Sequence, residues 1–170
     1  MNEPKPKAVI SAILFKRFPE GVKIYLQTRW KPVTSPTYSG MLEIPAGAID
    51  SYENVYDTLK REVKEETNLD ITRIVDDYQG EIVEPRANDR AFVFRPYLCQ
   101  QVLATNNGLP WVGFVFLCEV DGEVKIQESE AKDPVWLPLT ELASLVNDQP
   151  QQFFPLQLPV LKYFIEYFRD

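Results

Sequence analysis

Apolar residues form short runs and alternations through the first thirty positions of the chain. Residues 8–17 are rich in β-branched and aliphatic side chains and predict a buried strand. Pro19 and Gly21 predict a turn, and residues 22–30 alternate as a returning strand does. The chain is therefore expected to begin with a β-hairpin.

A helical period follows a loop over residues 31–40 and a short strand. Residues 41–49 predict a strand that ends at Pro45, followed by a glycine turn. Apolar residues then recur at helical spacing up to residue 67, namely Val55, Tyr56, Leu59 and Val63. Asp50 and Glu53 have the spacing of a capping box, and Asn68 stands where a helix favours a left-handed residue.

Three strand-like segments and two helices complete the pattern. The strands are predicted over 71–86, 91–104 and 111–120, with a turn over 105–110 and a polar connection over 121–134. A short helix capped by Thr140 is predicted over residues 139–146, and a closing amphipathic helix with Pro159 in its first turn over 158–170. The order of elements predicts one mixed α/β domain over residues 1–170, without regular βαβ alternation.

Composition and charge exclude several classes of function. The net charge of −7 attracts neither nucleic acid nor an anionic membrane. The absence of histidine excludes imidazole catalysis and histidine metal sites. No apolar run has the length of a membrane span, and the apolar run near the N-terminus lacks a cleavage site, so we expect a cytoplasmic protein.

The segment REVKEET, residues 61–67, places three carboxylates close together on the first predicted helix. At 100° per residue, Glu66 falls inside the apolar stripe and Glu62 lies at its edge. Arg61 is spaced to pair with Glu65, whereas Glu62 and Glu66 have no cation at helical spacing and oppose each other. A salt-bridged surface helix therefore accounts for only part of the pattern.

Partly buried carboxylates require a compensating charge, because an unpaired buried charge costs several kcal/mol. With only oxygen ligands present, the residues favour Mg²⁺ or Mn²⁺. A structural network supplied by distant arginines or lysines is the alternative.

The segment GAIDSYENVYDTLKREVKEETNL, residues 47–69, resembles the Nudix box, which identifies the chain as similar to Nudix hydrolases. Eight motif positions match, and Asn68 replaces the usual glycine; the matches are Gly47, Glu53, Arg61, Glu62, Val63, Glu65, Glu66 and Leu69. The resemblance implies an α/β/α sandwich with a mixed sheet. It also implies hydrolysis of nucleoside diphosphates linked to another moiety, by water activated at a metal ion.

The resemblance also implies residue roles. Glu62, Glu65, Glu66 and the carbonyl of Ala46 are expected to bind the metal, and Glu65 and Glu66 to take part in catalysis. The general base of the family often lies in a later loop, where Glu128 and Glu130 are the candidates. The structural roles in the motif are expected for Gly47, Glu53 and Arg61.

The stretch MLEIPAGAID resembles pyrophosphatases of ADP-ribose and nucleoside diphosphate sugars. That likeness implies that Arg29 contacts phosphates and that Glu43 lies near the site. Hydrolysis of nucleoside triphosphates or dinucleoside polyphosphates remains the enzymatic alternative, and a non-catalytic nucleotide sensor is a further one. The oligomeric state stays open, with a homodimer among the alternatives.

Overall fold

The computed structural model describes residues 5–106 and 110–169. The strands are β1 (Lys7–Phe18), β2 (Gly21–Arg29), β3 (Leu42–Glu43), β4 (Ala46–Ala48), β5 (Asp70–Val75), β6 (Tyr78–Gln79), β7 (Val83–Arg86), β8 (Asp89–Ala91), β9 (Phe94–Arg95), β10 (Leu98–Val102), β11 (Trp111–Asp121) and β12 (Ala131–Pro138). The α-helices are α1 (Val55–Thr67), α2 (Leu139–Asp148) and α3 (Leu158–Tyr167). Short 3₁₀ turns lie at Pro36–Tyr38, Pro150–Gln152 and Pro155–Gln157.

A mixed sheet forms the middle of the fold. Its strands follow the order β10-β11-β1-β2-β12, with β3, β4 and β5 paired to β2, β1 and β11. The β1–β11 pair is parallel and the other pairs are antiparallel. Strands β6 with β9, and β7 with β8, form separate two-stranded ribbons.

Successive side chains of the central strands point to opposite faces of the sheet, and each face carries its own hydrophobic core. Ala12 and Leu14 of β1 pack with α1 on one face of the sheet. Ile13 and Phe15 pack with α2 and α3 on the other face. Because successive strand residues point to opposite faces, an uninterrupted apolar run such as β1 requires cover on both sides. The result is the α/β/α sandwich with a mixed sheet that the sequence predicted.

The predicted glycine turn after Pro45 is wrong. Residues Ala46–Ala48 form β4, which pairs with Ser11, Ile10 and Val9 of β1 in antiparallel register. This pairing occupies backbone groups of β1 that a turn would leave open. It also holds the start of the box against the central strand.

Two predicted caps differ from the structure. The side chain of Asn54 caps α1 by accepting a hydrogen bond from the Tyr56 N–H, so Asp50 is not the cap. Helix α2 starts after Pro138 without a side-chain cap, so Thr140 does not cap it. By contrast, Asn68 ends α1 at a φ of 63°, as predicted.

The later strands are more broken than the sequence suggested. The predicted strand 71–86 is divided among β5, β6 and β7, and 91–104 among β9, β10 and irregular backbone. Strand β12 was missed, because a register shift after Lys132, with Asp133 at a φ of 47°, interrupts its alternation. Residues 107–109 of the predicted turn and Asp170 lie outside the described residues.

Candidate active site

A cleft of about 340 Å³ opens beside the C-terminal half of α1, between β4 and the segment that leads into β12. It brings together six residues that were given roles in the predicted site or its motif with four that were not. The lining residues are Lys31, Ala46, Gly47, Ala48, Glu62, Glu65, Glu66, Gln127, Glu130 and Ala131. Residues from four separate segments of the sequence therefore share one acidic surface.

Gly47 gives the Glu62 carboxylate its position. A Cβ atom at Gly47 would lie 2.0 Å from the carboxyl carbon of Glu62. This distance is far below any van der Waals contact, so the carboxylate occupies the space that a side chain would take. Glycine is needed here for a close approach between β4 and α1 rather than for a turn.

Glu62 has a cationic neighbour that helical spacing did not reveal. The Arg61 Nη1 atom donates to Glu62 Oε1 at 2.7 Å, and the Glu62 side chain is only 15% exposed. The prediction that no cation reaches Glu62 along the helix is therefore wrong, because the long arginine folds back over its neighbour. Burial raises the pKa of Glu62, Arg61 opposes the rise, and Glu65 and Glu130 add to it.

Arg61 also joins the start of the helix to its middle. Its guanidinium makes a two-point contact with Glu53, Nε to Oε1 and Nη2 to Oε2, each at 3.0 Å. Nη1 lies 3.3 Å from Glu65 Oε2. The eight-residue spacing between Glu53 and Arg61 thus produces the contact expected from it. Hydrogen bonds from Arg61 and then Thr58 lower the pKa of Glu53 to about 2.

Glu66 has a different environment. Its Oε2 accepts a hydrogen bond from the amide Nε2 of Gln27 at 2.7 Å. Within the described part of the chain, Glu66 takes part in no ion pair. Burial, followed by the charge of Glu43, raises the pKa of Glu66 to about 8. Among the described residues, this carboxylate has a hydrogen-bond donor but no ion-pair partner.

Arg29 and Glu43 lie beside the cleft without lining it. Arg29 Nη1 contacts Glu43 Oε2 at 2.9 Å, and Glu43 is 6% exposed. The guanidinium also lies over the ring of Phe154, 5.1 Å from its centroid. Burial raises the pKa of Glu43, and Arg29 opposes the rise. Glu43 engages Nη1, so the predicted phosphate contact from Arg29 would use other donors of its guanidinium.

Lys31 is the cation that lines the cleft, and the sequence analysis did not single it out. Its Nζ lies 3.1 Å from Glu130 Oε2. Both residues also line an adjoining surface pocket, where Glu128 lies instead of in the cleft itself. Lys31 follows β2 by two residues, and only the closure of β12 onto β2 brings it to the acids of α1.

The donor set fits a hard divalent cation, although the carboxylates do not yet converge. Among the described residues, no group of three His, Cys, Asp or Glu is arranged closely enough to hold an ion. The reason is that Glu62 and Glu65 turn to Arg61, while Glu66 turns to Gln27. Carboxylates and a backbone carbonyl are the ligands that Mg²⁺ and Mn²⁺ prefer, so the donor types fit, but the side chains would have to turn from these partners to converge on an ion.

Comparisons with known proteins agree with this picture. The model of the NUDIX domain family matches residues 5–157. No described helix is long and apolar enough to cross a membrane. A comparison with curated proteins gives no match.

Solved structures share the fold at low identity. The NUDIX domain of NrtR from Shewanella oneidensis, complexed with ADP ribose, is 17% identical at a TM-score of 0.65, covering 96% of this chain and 89% of that one. A possible asymmetric diadenosine tetraphosphate hydrolase from Jonesia denitrificans is 14% identical at a TM-score of 0.65, covering 98% of each chain. A MutT NUDIX hydrolase from Burkholderia pseudomallei is 21% identical at a TM-score of 0.55, covering 81% and 86%.

Proposed function

The chain belongs to the NUDIX domain family, and we propose that it is a pyrophosphohydrolase that cleaves a nucleoside diphosphate linked to another moiety. The observation that carries the proposal is the cleft itself. Glu62, Glu65 and Glu66 line it together with Glu130, and Glu66 has no protein cation among the described residues. A carboxylate left in this state beside an open cleft is suited to a ligand cation.

We propose that Glu62, Glu65, Glu66 and the backbone carbonyl of Ala46 hold Mg²⁺ or Mn²⁺. A bound divalent cation would neutralise charge on the pyrophosphate and lower the pKa of a bound water. The Arg61 guanidinium would hold the segment before α1 close to the Glu62 carboxylate, because it contacts both Glu53 and Glu62. Gly47 would keep open the space that the Glu62 carboxylate needs.

Of the two downstream candidates for general base, the cleft favours Glu130 over Glu128. Glu130 lines the cleft, whereas Glu128 lies in the adjoining pocket only. In this proposal, Glu130 accepts a proton from the attacking water. Lys31, now paired with Glu130, is the cation placed to meet a phosphate oxygen. Glu65 remains the alternative acceptor on the helix.

The proposed substrate is ADP-ribose or a similar nucleoside diphosphate sugar. The resemblance of MLEIPAGAID to pyrophosphatases of ADP-ribose and nucleoside diphosphate sugars supports this choice. One of the similar solved structures, the NUDIX domain of NrtR, is complexed with ADP ribose. The alternative is a dinucleoside polyphosphate or nucleoside triphosphate, which the diadenosine tetraphosphate hydrolase and MutT neighbours support. A nucleotide sensor without turnover is the third possibility. The expectations of a cytoplasmic location, a single domain and a homodimer stay predictions.

The test is hydrolysis in the presence of Mg²⁺, measured across ADP-ribose, other nucleoside diphosphate sugars, dinucleoside polyphosphates and nucleoside triphosphates. The products are identified, and Glu66→Gln is assayed beside the parent protein. Release of AMP and ribose phosphate from ADP-ribose supports the proposed substrate. Preference for another compound keeps the reaction and replaces the substrate. Tight binding without cleavage of any compound contradicts the enzymatic proposal and favours the sensor.

A further inference from the structure

A buried polar chain lies directly behind Glu66. Gln27 is 1% exposed and Tyr25 is fully buried, and both belong to β2. The Tyr25 hydroxyl donates to Gln27 Oε1 at 3.0 Å, and Gln27 Nε2 donates to Glu66 Oε2 at 2.7 Å. The residues are two positions apart on one strand, so their side chains share a face of the sheet.

The orientation of the Gln27 amide follows from these partners. A carboxylate that binds a metal ion is ionised and only accepts hydrogen bonds, so in that state the NH₂ group must face Glu66 and the amide oxygen must face the other way. A tyrosine hydroxyl can donate to that oxygen, and here it does. Tyr25 therefore supplies the donor that the amide oxygen needs once the NH₂ group faces Glu66.

The Gln27 amide also lies between two acids that repel each other. Gln27 pairs with Glu43 across the β2–β3 ladder, and its side chain stabilises the Glu43 carboxylate as well. The charge of Glu43 in turn acts on Glu66. A lysine or arginine at position 27 would neutralise Glu66, whereas a neutral amide holds it without removing its charge.

We infer that Gln27 is a positioning residue for the proposed metal site, which holds Glu66 by one oxygen and leaves its charge to a divalent cation. The inference rests on the proposed function only in taking Glu66 as a metal ligand. Tyr25 acts one step further away, by donating to the buried amide oxygen, which would otherwise lose its hydrogen bond. Partners of this kind typically change metal affinity by roughly 10–100-fold when they are removed.

The test measures Mn²⁺ binding to the full chain without substrate, by electron paramagnetic resonance or calorimetry. Gln27→Met keeps the length of the side chain but has no donor, and we expect the Kd for Mn²⁺ to rise roughly 10–100-fold. Gln100→Met is the matched control. That glutamine also lies on a strand, but its amide donates to the backbone carbonyl of Leu156, whereas that of Gln27 donates to the cleft acid Glu66. Its substitution is expected to leave the Kd unchanged.

Tyr25→Phe provides a second variant that spares the packing of the ring against Trp136, whose centroid lies 5.4 Å away. A smaller rise in Kd is expected. If Gln27→Met folds and binds Mn²⁺ as the parent does, the inference is overturned. If Gln27→Met does not fold, the test passes to Tyr25→Phe: a raised Kd for Mn²⁺ supports the inference, and a Kd equal to that of the parent overturns it.

The inference and the proposed function can fail separately. A parent protein that binds Mn²⁺ but cleaves no compound contradicts the proposed function and leaves the role of Gln27 intact. Hydrolysis by the parent, with unchanged Mn²⁺ affinity in Gln27→Met, removes the role of Gln27 alone. A parent that binds no Mn²⁺ overturns both.

Discussion

Two carboxylates held by the same helix region, Glu53 and Glu66, have opposite electrostatic surroundings. Glu53 receives two hydrogen bonds from Arg61, and its pKa falls to about 2. Glu66 receives one from a neutral amide, lies near a second buried acid, and its pKa rises to about 8. Glu53 is paired with a cation of the protein, whereas Glu66 forms no ion pair within the described part of the chain. The difference is what we expect if Glu53 is a structural acid and Glu66 a metal ligand, although both belong to one sequence motif.

The largest effect is expected from removing the charge of the ligand acid. Glu66→Gln should lower kcat/KM by at least about a hundredfold, since a metal ligand is lost and the amide cannot replace its charge. Steady-state assays with Mg²⁺ measure the loss, and circular dichroism checks the fold. Near-parental activity would remove the distinction between the two acids.

Glu130 extends the comparison across the cleft, because it is paired with Lys31 and still faces the acids of α1. If it accepts the proton of the attacking water, Glu130→Gln should lower kcat by roughly 10²–10⁴-fold. Glu128→Gln is the matched variant, two residues away and outside the cleft, and should have a much smaller effect. Equal losses in the two variants, or a loss in Glu128→Gln alone, would contradict the assignment.

Gly47→Ala tests whether the position of Glu62 matters more than its presence. The new methyl group must displace the Glu62 carboxylate, which is the mobile end of a side chain, so the stability cost should be small. Mn²⁺ affinity should fall by roughly 10–100-fold. Calorimetry for binding and thermal unfolding for stability measure the two effects on one sample. A large loss of stability with unchanged affinity would reverse the expectation.

The raised pKa of Glu66 predicts how the metal-free protein responds to pH. The ordinary value is 4.5 and the folded value about 8, so between them the folded protein holds a proton that the unfolded chain has released. The free energy of unfolding should therefore fall as pH rises through this window, by up to a few kcal/mol at roughly 1.4 kcal/mol per pKa unit.

Denaturant unfolding is measured in the presence of a chelator that removes divalent ions. Comparison with Glu66→Gln isolates the contribution of Glu66 to the pH dependence of the free energy of unfolding. The variant lacks the titrating group, so its stability should change less between pH 5 and about 8. Parallel pH profiles for the two proteins would show that Glu66 titrates normally.

The smallest effect is expected at the bound acid. Glu53→Gln removes the charge opposite Arg61 but leaves the cleft carboxylates in place. Because the pair lies near the surface, we expect a slight decrease in melting temperature that shrinks as salt is added. Activity should fall less than in Glu66→Gln. An activity loss as large as that of Glu66→Gln would mean that Glu53 acts at the site itself.

Some predictions failed because the sequence carries no record of side-chain reach or of distant pairing. Helical spacing missed the contact from Arg61 to Glu62, since adjacent residues leave a helix in different directions and only a long side chain closes the gap. The glycine turn was wrong because a glycine needed for close approach looks the same as one needed for a turn. Strand β12 was hidden by its bulge, and with it the path that brings Lys31 and Glu130 together.

The sequence by itself determined the helix Val55–Thr67, its left-handed end at Asn68 and the acidic motif, because each depends on local period or fixed spacing. The sandwich was implied by the resemblance of that motif to the Nudix box. Only the tertiary structure decided which acid meets which partner. Gln27, Lys31 and Glu130 reach the motif through sheet pairing, and burial then sets the charge state of each carboxylate. Local patterns repeat along one element, whereas desolvation and long-range contact depend on how distant elements pack.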